Sequence, residues 1–136
     1  MRGTELHEAM KAAFAALLVV CPVGASAATY QSNARAVLEG TLITARADPA
    51  VTYDEKPHAF PALRLSKPID FTCARGDEMC EPESNVGTLQ LVLDAGGMAK
   101  FKVLKGKPAK VAGKLWHSET GHHYTKVLLE VESISP

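Results

Sequence analysis

The chain has 136 residues, with 15 basic and 15 acidic side chains and a formal net charge of +0. This balance gives no electrostatic reason to expect a strongly charged partner. The length supports one domain with a modest hydrophobic core.

The N-terminal segment has the pattern of a secretory signal peptide. Met10 and Lys11 precede the uncharged apolar run AAFAALLVV, and Ala-Ser-Ala at 25–27 follows a proline and a glycine. A basic start, a short apolar core and small residues before the cleavage point are typical of such signals, and the run is too short to span a membrane. We predict a signal peptide over residues 1–27, translated from Met1 or Met10. The mature bacterial protein, residues 28–136, is then periplasmic or secreted.

Two cysteines remain in the predicted mature chain, Cys73 and Cys80, within CARGDEMC. An even, closely spaced pair in an oxidising compartment indicates a disulfide bond. The spacing is not that of a CxxC redox motif, and two thiols alone do not form a structural zinc site.

The mature chain is predicted to be all-β. Most of its apolar residues alternate with polar ones in short segments that are separated by turn residues. The predicted strands are 36–44, 62–66, 69–73, 87–94, 100–104, 109–117 and 125–134. Gly40 and Gly113 fall inside two of them, where glycine often marks a sharp bend. We predict a small OB-like barrel of five to seven antiparallel strands, with a small β-sandwich as the alternative.

The last two predicted strands flank a histidine-rich turn, in the stretch GKLWHSETGHHYTKVLLEV. A three-residue loop Glu-Thr-Gly, with Gly121 in the left-handed position, would join them as a hairpin. That register places His117 opposite His123 on the core-facing side, with Cβ atoms about 5 Å apart.

Three interpretations of this turn remain open at the level of sequence. In a structural one, a histidine donates a hydrogen bond to a backbone carbonyl or to Thr125 and covers the end of the core. In the second, His117 and His123 bind zinc or copper with a third donor, taken from His58, His122 or Glu119. In the third, Trp116, His122 and Tyr124 share the opposite face and form a recognition surface.

The C-terminal third resembles the signature of an uncharacterised family of exported bacterial proteins, known as a domain of unknown function. The family pattern is a Gly-x-x-Val-x-Gly strand, a Thr-Gly-His-His-His-Thr turn and an apolar strand. Tyr124 stands where the family has its third histidine. The resemblance implies a small periplasmic β-domain, sometimes found beside inhibitor-like envelope modules, and no known activity. The matching residues are Val111, Gly113, Thr120, Gly121, His122, His123 and Thr125, and Gly106 precedes Val111 by five positions, not the three of the family pattern.

Catalytic motifs and charge runs add little. The chain has no Gly-x-Ser-x-Gly elbow and no phosphate-binding glycine loop, so we predict that it is not an enzyme. A basic stretch could bind a polyanion along an OB-like barrel, although export argues against nucleic acid. It contains Lys100, Lys102, Lys105, Lys107, Lys110 and Lys114.

The sequence thus favours a binding module of the bacterial cell envelope. Its predicted partner is another envelope protein, which it would bind as an inhibitor or an immunity-type protein. A histidine-based metal-binding protein is the first alternative, and a polyanion-binding domain is the second.

Overall fold

The computed structural model describes residues 26–136. These residues form six strands, one α-helix and a short 3-10 helix, Pro49–Val51. The strands are β1 (Thr29–Gln31), β2 (Arg35–Arg46), β3 (Ala59–Thr72), β4 (Glu83–Val92), β5 (Pro108–His117) and β6 (Val127–Ser135). The α-helix, α1 (Ala95–Leu104), joins β4 to β5.

Five of the strands close a hydrogen-bonded ring. Its order is β3-β2-β5-β6-β4, and β4 returns to pair with β3. The ring is irregular, since only three residue pairs join β4 to β6 and the β3–β4 ladder has two register shifts. The prediction of a small all-β, OB-like barrel is confirmed in this form. Not every pair is antiparallel as predicted, because β1–β3 and β4–β6 are parallel.

Alternating burial explains why these segments form strands. Along β5 the side chains of Ala109, Val111 and Leu115 point inward, while Lys110 and Lys114 are exposed. Side chains alternate between the two faces of a strand, so this pattern directs one face to the core. The largest fully buried side chains at the centre are Phe71, Leu42, Leu63, Leu89, Leu115, Leu129, Val111 and Val127.

The predicted strand at 100–104 is wrong, because these residues lie in α1. Asp94 caps the helix, accepting a hydrogen bond from the backbone N–H of Gly97 at 2.7 Å, as N-cap aspartates do. Met98, Phe101 and Leu104 follow at intervals of three and all pack against the core. Residues three apart share a helix face. The alternating polar and apolar side chains of residues 100–104 suggested a strand instead, because five residues are too few to show the helical spacing.

The predicted strands 62–66 and 69–73 are one strand, β3. The break between them is a register shift in which β3 advances from Arg64 to Ile69 while β4 moves only from Thr88 to Val86. Lys67 and Pro68, the residues between the two predicted strands, therefore lie in the bulged part of a continuous strand, and such bulges bend a strand.

Gly40 and Gly113, which the sequence predicted to mark sharp bends, lie where neighbouring strands approach each other closely. A Cβ atom on either one would lie 2.2 Å from a backbone carbonyl oxygen, that of Arg64 or of Glu130. The β5–β6 register also shifts between Ala112 and Gly113. Only a residue without a side chain fits these positions.

The predicted disulfide is present. Cys73 and Cys80 are bonded, with Cα atoms 5.7 Å apart, and close the loop 73–80 between β3 and β4. The predicted signal peptide lies almost entirely in residues 1–25, outside the described part of the chain. Within 26–136, no helix is long and apolar enough to cross a membrane.

Candidate functional site

Two long loops of the barrel meet on its outer surface. The tyrosine loop, residues 47–58, joins β2 to β3, and the histidine loop, residues 118–126, joins β5 to β6. The ring of Tyr53 meets that of His122 edge on, with centroids 5.2 Å apart. A Cβ atom on Gly121 would lie 3.1 Å from the Tyr53 Cβ, so glycine allows this approach.

Tyr124 anchors the histidine loop to the sheet. Its ring stacks on His58, with centroids 5.5 Å apart and planes at 11°, and lies 5.3 Å from Phe60. Phe60 belongs to a second, smaller apolar cluster with Ala47 and Ala62 on the outside of β2 and β3. The two loops therefore cover a patch of apolar sheet.

Gln90 of β4 fixes the backbone of the histidine loop. Its side-chain oxygen accepts from the N–H of Tyr124 at 2.6 Å, and its amide donates to the carbonyl of His122 at 3.3 Å. The Thr125 hydroxyl accepts from the N–H of Gln90 at 2.9 Å and donates to the carbonyl of Val127 at 2.7 Å. These four bonds hold the loop rigidly on the barrel.

His123 stabilises the same loop from within. Its Nδ1 accepts hydrogen bonds from the backbone N–H groups of Glu119 and Thr120, at 2.8 and 3.2 Å. An accepting Nδ1 carries no proton, so the ring is neutral. Burial lowers the pKa of His123 below its usual 6.5, and the nearby Glu119 opposes that shift. Its ring meets the indole of Trp116 edge to face.

A hydrogen-bonded histidine–aspartate pair orders the tyrosine loop. His58 Nε2 lies 2.8 and 2.9 Å from the two carboxylate oxygens of Asp54. This hydrogen bond from His58 holds the pKa of Asp54 below its ordinary value of 3.8. The pair braces the imidazole that stacks on Tyr124.

The predicted three-residue hairpin turn is wrong. β5 and β6 pair up to His117 and Val127, so nine residues separate the strands and His117 does not face His123. The backbone N–H of Ser118 donates to the carbonyl of Lys126 at 2.8 Å and closes this longer loop. The loop is long because the Gln90 side chain bonds the backbone of His122 and Tyr124. With a tight turn, these two residues would have been paired in a strand.

His117 points toward the core, as predicted, and its side chain is 11% exposed. Its ring centroid is 6.2 Å from that of the buried Phe71. Nδ1 lies 3.0 Å from the carbonyl oxygen of Ser118, and Nε2 lies 3.0 Å from a carboxylate oxygen of Glu83. The carbonyl contact is the one expected under the structural interpretation of the histidines.

The predicted recognition residues do not form one open aromatic face. His122 is exposed, whereas Trp116 and Tyr124 are half-buried. The indole Nε1 of Trp116 is buried with no hydrogen-bond partner in the described part of the chain. Beside the exposed His122 lies the ring of Tyr53, a residue that was not predicted for this surface and is 69% exposed. The sequence offered one indication of this, since Tyr53 lies in the polar stretch VTYDEKPH. An aromatic residue in a polar loop is not explained by burial on one face of a strand.

One group of three side chains within 26–136 has the composition of a metal site. Its members are Glu81, Glu83 and His117, whose ligand atoms all lie within 4.8 Å of one another. His123, the other predicted ligand, is not in this group. His58, His122 and Glu119, considered as third donors, are not in it either.

The six lysines of the predicted basic stretch do not share one strand. Lys100 and Lys102 lie on α1, Lys105 and Lys107 on the following turn, and Lys110 and Lys114 on β5. Lys110 Nζ also lies 3.5 Å from a carboxylate oxygen of Glu39. A surface groove of about 660 Å³ is lined by residues of β1, β2, β3 and their neighbours and includes no residue of either loop.

Residues 88–135 match the model of a domain of unknown function, DUF4431. The predicted resemblance to an uncharacterised domain family is thereby confirmed for this segment. The DUF4431 segment contains α1, β5, β6 and the histidine loop, but neither the tyrosine loop nor Glu81 and Glu83. No curated protein and no solved structure matches the chain.

Proposed function

We propose that this protein is an exported, non-catalytic binding module of the bacterial cell envelope. Its partner is another envelope protein, which it recognises through the surface formed by the tyrosine and histidine loops. An inhibitor or immunity-type role is the form of recognition that we favour.

The observation that carries this proposal is the contact between the two loops. The loops follow β2 and β5, which are the first and the fourth of the five ring strands in chain order. OB-fold barrels use the equivalent loops to bind ligands. The contact presents Tyr53 and His122 together on a surface held by Gln90 and Tyr124. A rigid exposed aromatic side chain loses little conformational entropy on binding, and such residues are frequent anchors of protein interfaces.

Charge supports a protein partner over a polyanion. The chain has a formal net charge of +0, and the lysines are divided between a helix, a turn and a strand. Polyanion binding depends on many cationic contacts along one surface. Export is supported by the signal-peptide pattern in the sequence and by the Cys73–Cys80 disulfide, since such bonds persist in oxidising compartments.

The histidines support binding over catalysis. His123 accepts two backbone hydrogen bonds, and His58 is held by Asp54. Both imidazoles thus have a positioning role, and no nucleophile lies among their hydrogen-bond partners. A general base would need a free nitrogen directed at a reacting proton.

The test is site-specific photo-crosslinking in living cells. A benzophenone amino acid replaces Tyr53 in one strain. In two control strains it replaces Val37 or Val103, which are 65% and 72% exposed on other surfaces. We expect one discrete crosslinked adduct from position 53, in which mass spectrometry identifies the partner as an envelope protein. The same adduct should not form from positions 37 and 103.

A second variant links the adduct to the loop geometry. Gln90→Ala removes the two side-chain hydrogen bonds that fix the histidine loop, and it should reduce the yield of the adduct from position 53. The same adduct from all three positions, or none from position 53, would contradict the proposal.

A further inference from the structure

We propose that Glu81, Glu83 and His117 form a zinc-binding site at one end of the barrel, beside the disulfide. The three ligands lie outside the tyrosine and histidine loops, and the site does not depend on the proposed function. Its ligand set also differs from the His117–His123 pair that the sequence suggested.

Three structural elements bring the ligands together. Glu83 is the first residue of β4 and pairs with Phe71 of β3. His117 is the last residue of β5, and Glu81 directly follows Cys80 of the disulfide. The barrel therefore fixes two ligands, and the disulfide restrains the segment that carries the third.

The hydrogen bonds of His117 leave its Nε2 facing a carboxylate oxygen of Glu83, so that either a proton or a metal ion can join the two atoms. Nδ1 lies 3.0 Å from the Ser118 carbonyl, which can only accept, so Nδ1 carries a proton. In the neutral ring Nε2 is then unprotonated, yet it lies 3.0 Å from a Glu83 oxygen that also has only lone pairs. Two acceptors at this distance require a proton or a metal ion between them.

A metal ion fits this arrangement of the imidazole. Metal-binding histidines usually donate their other N–H to a carbonyl or a carboxylate, which fixes the ring for coordination. The Ser118 carbonyl does this here. The side chains of His117 and Glu83 are only 11% and 15% exposed, so an ion would be held largely out of water.

Zinc is the metal that the donor set favours. Zinc binds imidazole nitrogen and carboxylate oxygen at about 2.0–2.2 Å, with three protein ligands and a water in open sites. Ligand atoms around one tetrahedral zinc ion therefore lie about 3.3–3.6 Å apart. The three ligand atoms are within 4.8 Å of one another, and the exposed side chain of Glu81 can move to close the remaining distance.

Lys126 is the competing cation. Its Nζ lies 3.7 Å from the second carboxylate oxygen of Glu83, and its side chain is 78% exposed. A lysine this exposed can move into solvent when a divalent ion binds. Replacing it with methionine should therefore tighten zinc binding.

The experiment is a titration of the purified, oxidised, tag-free protein with zinc chloride, followed by calorimetry and native mass spectrometry. We expect one zinc ion per chain, weaker binding as the pH falls because protons compete for the ligands, and tighter binding by Lys126→Met. Glu83→Gln and His117→Gln should each weaken binding by at least about 100-fold, more than the loss of an outer-shell partner does.

Two further variants separate ligation from folding. Glu81→Gln alters an exposed side chain and should weaken zinc binding without changing the midpoint of unfolding in the absence of metal. Glu78→Gln is the matched control, because Glu78 is an exposed glutamate three residues before Glu81 and lies outside the ligand group. No bound zinc in the wild type, or equal binding by the wild type and Glu83→Gln, would overturn the proposal.

Discussion

Trp116 and His123 meet edge to face, with ring centroids 4.7 Å apart and planes at 86°. Trp116 is the one tryptophan of the chain, so its fluorescence reports on this contact. A protonated imidazole quenches indole emission more strongly than a neutral one. The emission should therefore decrease as the pH is lowered. The midpoint of this decrease should lie below pH 6.5, because burial lowers the pKa of His123.

The same shift predicts how stability depends on pH. A histidine with a lowered pKa binds fewer protons in the folded state than in the unfolded state, so protonation favours unfolding. The stability that neutral His123 contributes is complete above pH 6.5 and declines as the pH falls through that value toward the folded pKa.

The fluorescence titration has two control variants. His123→Asn should lack the pH-dependent decrease in Trp116 emission, whereas His122→Gln should retain it. Loss of the transition in His122→Gln alone would contradict this assignment.

Gly113 is expected to tolerate no side chain. In Gly113→Ala the new Cβ would lie 2.2 Å from the carbonyl oxygen of Glu130, and the backbone of two paired strands would have to move. We expect a loss of at least about 3 kcal/mol in the free energy of unfolding, at the upper end of overpacking effects. Urea denaturation measures it.

Gly87→Ala is the control for that substitution. No atom lies within 4 Å of the added Cβ at Gly87, so its free energy of unfolding should change by less than about 0.5 kcal/mol, as for most surface substitutions. Equal effects of the two substitutions would show that the close approach at Gly113 is not a constraint.

The Cys73–Cys80 disulfide is expected to stabilise the barrel. It joins residues seven apart in sequence, and closing so short a loop contributes about 2.5 kcal/mol on the chain-entropy estimate. Urea denaturation of the oxidised protein and of the Cys73→Ala/Cys80→Ala variant should differ by about that amount. The variant should also bind zinc more weakly, since Glu81 loses its restraint. Identical unfolding curves would contradict the structural role.

Asp54 is expected to titrate below its ordinary value of 3.8, because His58 donates a hydrogen bond to it. A carboxyl with a lowered pKa supports the folded loop above its unfolded pKa, and this support is lost as the pH falls through the folded pKa. Carbon-13 NMR of the Asp54 carboxyl measures the midpoint directly. In His58→Gln it should return toward 3.8, and an unchanged midpoint would rule out His58 as the cause.

Local pattern was enough to determine the class of fold. Alternating apolar residues in β2, β5 and β6 and the glycines at 40 and 113 predicted a small barrel, since side-chain direction in a strand follows from sequence order alone. The spacing of Cys73 and Cys80 likewise predicted the disulfide. In contrast, α1 was missed because the apolar residues that bury it are spaced by three over only ten positions.

Tertiary structure alone decided which side chains come together at the two candidate sites. The length of the histidine loop depends on Gln90, a residue of another strand whose side chain bonds its backbone. His117 therefore faces Glu83, which is 34 residues away in the chain, and not His123. Nothing in the sequence around 117–123 encodes either partner. The sequence determined the barrel because strands follow local periodicity, and ring closure decided the contacts because it joins residues that are distant in the chain.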